Sequence, residues 1–173
     1  MNIKRSIALC ATLLLAACGQ DMSASTAPVK ISQVNAQAGG LIIGDAWARA
    51  TAMNMASGDD QSQHDANTPG MNSAAYMIIQ NTGGADKLVS ISGDVAESVE
   101  LHVTSMKDGV MSMNPLPDGA DVPAGGSLVL KPASYHIMLI GVKQNLEAGG
   151  TFKLTLKFKS GTAMTIDVPV RAP

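Results

Sequence analysis

Nine short apolar or alternating runs follow one another from Leu41 to Val170, punctuated by turn-forming breaks. The runs are Leu41–Ala48, Ala74–Gln80, Lys87–Ile91, Val99–Thr104, Val110–Asn114, Ser127–Leu130, His136–Val142, Thr151–Phe158 and Ala163–Val170. Clear breaks are Asn81-Thr82-Gly83-Gly84, Asp108-Gly109, Ala124-Gly125-Gly126, Ala148-Gly149-Gly150 and Ser160-Gly161. Strands at this near-regular spacing predict an all-β sandwich or barrel. No stretch holds a helical period beyond two turns, although Asp94 to Glu100 has room for a single turn. Aromatic residues are only 3% of the chain, so its core must be built from Val, Ile, Leu, Ala and Met. There is no internal repeat, and no Gly-rich phosphate loop precedes a helix. Residues 41–173 therefore read as one domain of ordinary size.

The first 17 residues read as a targeting segment. Lys4 and Arg5 form a basic start, and Ile7 to Ala17 is apolar except for Thr12. This stretch is shorter than the ~20 residues a membrane-spanning helix needs. It ends in Leu15-Ala16-Ala17-Cys18, which resembles the bacterial lipobox, with cleavage before Cys18 and lipid attached to that residue. A plain secretory signal is the alternative, and both put the mature chain outside the cytoplasm. Gly19 and Gln20 follow, with no Asp directly after the Cys, a pattern that favours the outer membrane. Residues 18–40, rich in Ser, Ala, Gln and Gly, read as a flexible tether. A short strand near Val29 to Val34 is the competing reading.

With Cys10 removed and Cys18 lipidated, the mature domain has no thiol. That excludes a blue-copper site, which needs a thiolate, and a thiol redox enzyme. Without Lys4 and Arg5 the chain carries 10 basic against 14 acidic residues, a formal −4. It has no basic footprint for nucleic acid. A monomer is expected.

Against this background His102, Met113, His136 and Met138 stand out. The chain has only three His, and two belong to this set. Two imidazoles and two thioethers make a soft, neutral donor set that suits Cu(I) better than Zn, Mg or Ca. Residues two apart on a strand share a face, so His136 and Met138 point the same way. If Asp108-Gly109 closes a two-residue hairpin, Thr104 stands opposite Met113, and Met113 becomes a diagonal neighbour of His102. A three-residue turn would break that register. Taken singly, each His or Met is more simply a satisfied or filler residue. Their combination on compatible faces is what points to a metal.

Several pieces resemble the periplasmic copper chaperone family known as PCuAC. They are Asp45-Ala46-Trp47-Ala48-Arg49-Ala50, Ala74-Ala75-Tyr76, Asn81-Thr82-Gly83-Gly84, Val99-Glu100-Leu101-His102, Met106-Lys107-Asp108-Gly109-Val110-Met111 and Tyr135-His136-Ile137-Met138-Leu139. They occur in the family's order over roughly Ile43 to Val170. The resemblance implies a cupredoxin-like Greek-key β-sandwich and Cu(I) held by His102, Met113, His136 and Met138. It also implies delivery to the CuA centre of cytochrome c oxidase subunit II, alongside Sco-type copper proteins.

The chain departs from the family pattern in two places. It has one more residue than usual between Met113 and His136, expected in the Pro115 to Gly126 loop. It also carries a long polar insert, residues 52–72, with Met53, Met55, His64 and Met71. A loop of this length is usually functional or disordered. The functional reading is an auxiliary copper-capture loop, with His64 able to hold Cu(II) where thioethers hold it poorly. The bland reading is a surface loop. Trp47 reads as a core anchor in preference to a partner contact. Met106 and Met111, which flank the hairpin tip, read as filler in preference to secondary donors.

The expected function is thus an extracytoplasmic copper chaperone. A copper buffer or resistance protein and a metal-free β-sandwich interaction module are the alternatives. No catalytic triad, paired catalytic carboxylates or open Zn site can be assembled, so an enzyme is not expected.

Overall fold

The computed structural model describes residues 29–51, 71–107 and 109–172. The leader, Cys18, and Met53, Met55 and His64 of the insert lie outside the described residues. Those residues form eleven strands and no helix: β1 Val34–Ala38, β2 Leu41–Arg49, β3 Met71–Asn81, β4 Asp86–Ser92, β5 Ala96–Lys107, β6 Val110–Pro115, β7 Ala120–Val122, β8 Ser127–Leu130, β9 Tyr135–Val142, β10 Thr151–Phe158 and β11 Ala163–Arg171. The all-β expectation holds.

Alternation drives the architecture. In β10, Leu154, Leu156 and Phe158 are buried, and in β11 so are Met164, Ile166, Val168 and Val170. The intervening Lys153 and Asp167 pair on the exposed side at 2.7 Å, an ion pair that adds little to stability in water. The strand order is β6-β5-β9-β8-β3-β2-β11-β10-β4-β7, with β1 on β2 and β9 also touching β3. The sheet folds over on itself. Strands β4 and β7 pack against β5, β8 and β3 without bonding to them. Leu41, Ile43, Met77, Ile79, Leu128, Ile137, Leu139 and Leu154 fill the space between.

Four expectations are corrected. The tether expected over 18–40 contains β1, whose residues pair with β2 from Ala38↔Leu41 to Val34↔Gly44. Asp45 secures this hairpin by accepting the Ser32 and Gln33 backbone N–H groups at 2.9 and 2.8 Å. Asp94 to Glu100 forms no helical turn, because Ala96 onward joins β5 opposite β9. Met71, counted in the insert, begins β3 and pairs with Val142.

The fourth correction concerns Trp47. Ile43 and Ala46 are both buried, three residues apart, because β2 bulges between Gly44 and Trp47. Asp45 takes a φ of 51° there. The extra residue reverses the alternation. A regular strand would have turned Trp47 inward with Ile43. Instead Trp47 lies on the outer face, half-buried, its ring 4.6 Å from that of Tyr76 and 5.7 Å below the Arg171 guanidinium.

Candidate metal centre

Strands β6, β5 and β9 lie side by side at one end of the sheet and carry all four candidate donors. On β9, Ile137 and Leu139 are fully buried in the core, so His136 and Met138 take the opposite face. On β5, Glu100 stands opposite Met138 and His102 opposite His136. On β6, Met113 stands opposite Thr104 and Pro115 opposite His102. Cross-strand partners share a face. The four donors therefore occupy one face of three adjacent strands.

This register follows from the hairpin tip. Lys107 pairs with Val110, which leaves two residues in the connection. Gly109 has a φ of 78°, a conformation that favours glycine.

The imidazoles are prepared differently. His136 is buried, and its Nδ1 lies 3.0 Å from the Ser134 carbonyl oxygen. A carbonyl only accepts, so Nδ1 carries the proton and Nε2 carries the lone pair. The same carbonyl accepts the Thr104 N–H at 3.1 Å, which ties the loop before β9 to β5. His102 is arranged in reverse. Its Nε2 lies 3.0 Å from a Glu100 carboxylate oxygen, while the other Glu100 oxygen accepts the Ser98 hydroxyl at 2.8 Å. The bond from His102, then that from Ser98, holds the Glu100 carboxyl below its ordinary pKa. With Nε2 donating, the His102 lone pair sits on Nδ1. That atom is buried and has no hydrogen-bond partner.

An unsatisfied buried nitrogen costs about 1–3 kcal/mol. A metal ion on Nδ1 removes that penalty. A histidine ligand that donates its other N–H to a carboxylate or a backbone carbonyl is the usual outer arrangement of a metal site. The two rings have centroids 5.9 Å apart and are tilted by 49°. They are cross-strand neighbours on one face of the sheet. Sulfur completes the set: Met138 is half-buried and Met113 is 59% exposed. No group of three His, Cys, Asp or Glu suited to a harder ion exists among the described residues.

A pocket of about 260 Å³ lined by Leu88, Val99, Leu101 and Leu116 adjoins Glu100 but holds none of the four donors. Reading the sequence for donors missed Glu100, Ser98 and Ser134, which orient them. Only Glu100 left a signal, being an acidic residue two positions before a strand histidine. Met71 pairs with Val142, four residues along β9 from Met138. That is about 13 Å by strand rise, so Met71 stands apart from the donor set.

Comparison with known proteins agrees with this architecture. The profile of the family described as "Putative lipoprotein LpqE-like" matches residues 41–170. The "Putative lipoprotein Lxx21020" of Leifsonia xyli subsp. xyli is 33% identical over 145 residues, covering 83% of this chain and 77% of that protein. Among solved structures, the copper-bound PCuAC domain from PmoF2 superposes with a TM-score of 0.58 at 19% identity, over 80% of this chain and 98% of that domain. That likeness speaks to the fold. The solution structure of CuI-DR1885 from Deinococcus radiodurans has a TM-score of 0.50 at 27% identity, over 73% of this chain and 76% of that one. The chain belongs to the LpqE-like family and has the cupredoxin-like β fold of PCuAC domains.

Proposed function

We propose that this protein is an extracytoplasmic copper chaperone, which holds Cu(I) through His102 Nδ1, His136 Nε2 and the thioethers of Met113 and Met138. The observation that carries the reading is the buried, unpartnered Nδ1 of His102 beside the bound and oriented ring of His136. The copper in the PmoF2 domain and the CuI form of DR1885 support the choice of ion. All four donors are neutral, so Cu(I) binds without displacing a thiol or carboxylate proton.

Transfer favours the chaperone over a buffer. Met113 sits on the outermost strand, exposed, where an incoming ligand can replace it without opening the core. The acceptor proposed is the CuA centre of cytochrome c oxidase subunit II or a Sco-type copper protein. The test is transfer from the Cu(I)-loaded chain to the apo soluble domain of subunit II. Spectral growth of CuA supports the reading. Retention of copper in the presence of excess acceptor identifies a buffer.

The matched family and the Leifsonia relative both carry the words "Putative lipoprotein" in their names, which supports lipid attachment at Cys18. The proposed place in the periplasm, on the outer membrane, rests on Gly19 and Gln20 following that Cys. Cys18→Ser releases the chain from the membrane on this reading. The insert is proposed to add a weaker copper site through Met53, Met55 and His64, with Cu(II) on His64. His64→Ala then lowers Cu(II) uptake and spares Cu(I) uptake at the central site.

A further inference from the structure

Methionine is usually buried, yet Met106, Met111 and Met113 are 69%, 59% and 59% exposed. Of the filler roles expected for Met106 and Met111, in the core or on the surface, this exposure excludes the core. Their register explains what they share. Met106 stands opposite Met111, and Met113 stands opposite Thr104. Met106 lies two and four residues along β5 from Thr104 and His102. All three thioethers therefore lie on the face that carries His102, His136 and Met138. They form a track from the hairpin tip to the imidazoles, with steps of about 6.8 Å along the strand.

We propose that Met106 and Met111, with Met113 shared, form a second soft-metal site at the tip of the β5–β6 hairpin, and that Cu(I) is loaded and unloaded through it. This rests on the reading of His102, Met113, His136 and Met138 as a Cu(I) site. Directly opposite residues have Cβ atoms roughly 4.5–5.5 Å apart, and flexible methionine side chains let two sulfurs from such a pair reach one ion. Met113 is one two-residue step away, toward the imidazoles. Thioethers select Cu(I) among biological metals. The site lacks imidazole, so it is the weaker of the two. The transfer is ligand exchange: a bond from copper to a Met106 or Met111 sulfur breaks as a bond to a His102 or His136 nitrogen forms, while Met113 stays bound. Every donor is neutral, so the ion keeps its +1 charge and no proton or electron moves.

The experiment is titration of the purified mature chain, carrying ¹³C-labelled methionine methyls, with Ag(I) as a redox-inert soft ion and then with Cu(I). The first equivalent is expected to shift the methyls of Met113 and Met138, and the second those of Met106 and Met111. In the Met106→Leu/Met111→Leu variant, which keeps the apolar surface, the first equivalent binds as before, the second is lost and transfer to an apo acceptor slows. Methyls of Met106 and Met111 that stay still through the second equivalent would overturn the tip site, as would a double variant that keeps both the second equivalent and the transfer rate. A different result strikes the central site alone: Met106 and Met111 shift with the first equivalent while Met113 and Met138 never move.

Discussion

His102 and His136 stand directly opposite each other across β5 and β9, yet they keep different ring nitrogens free for a metal, Nδ1 on His102 and Nε2 on His136. The Glu100 carboxylate accepts a hydrogen bond from the Nε2–H of His102, and the Ser134 carbonyl accepts one from the Nδ1–H of His136. The two lone pairs are thereby fixed before any ion arrives, which lowers the ordering cost of binding. One consequence is that the apo protein carries a penalty at His102.

That penalty is measurable. Replacing His102 with Leu removes a buried, unsatisfied nitrogen and leaves the partly exposed Glu100 to water. In denaturant unfolding the apo His102→Leu variant is expected to be as stable as the parent or more stable, by up to about 1–3 kcal/mol. Its stabilisation by Cu(I) should disappear. A histidine kept for structure alone would show the reverse, with a destabilised apo form.

Glu100 acts through His102. Glu100→Ala frees the ring to change tautomer, and Cu(I) affinity is expected to fall about 10–100-fold, as for other groups that orient metal ligands. Glu100→Gln keeps an acceptor for the Nε2 proton and should recover most of that loss. Competition titration against a Cu(I) chelator measures both. Equal affinity in the alanine variant and the parent would remove Glu100 from the account.

Trp47 supplies an optical readout. It is the only Trp in the chain, and its ring packs against that of Tyr76 at a tilt of 40°. Tyr76 lies two residues along the same face of β3 from Ala74, the partner of Met138. Copper at the donor site is therefore expected to quench Trp47 emission in proportion to the first equivalent bound. In Met113→Leu/Met138→Leu that quenching should be largely lost. Quenching that persists there would place the ion elsewhere.

The outer strands of the site were readable because their signals are local. Asp108-Gly109 set the hairpin register, and it brings Thr104 opposite Met113. The H-x-M spacing set His136 and Met138 on one face. What stayed hidden depended on distant contacts. The β2 bulge that turns Trp47 outward is held by Asp45 reaching Ser32 and Gln33, a pairing no window of alternation reveals. Strand β1 is short, with only Val34 and two alanines as apolar residues, and is held by its pairing with β2. Strand β7, only three residues long, is fixed by its pairing with β4. The Ser134 carbonyl that orients His136 belongs to the backbone, so no side-chain pattern encodes it.

The central claim is a single Cu(I) held by two imidazoles and two thioethers. Its most direct test is Cu(I) competition titration of the parent and of Met113→Leu/Met138→Leu, with unfolding of both apo forms as a control for the fold. One tight equivalent in the parent is predicted, with a large loss of affinity in the double variant and little change in apo stability. Unchanged Cu(I) affinity in a folded double variant would contradict the account.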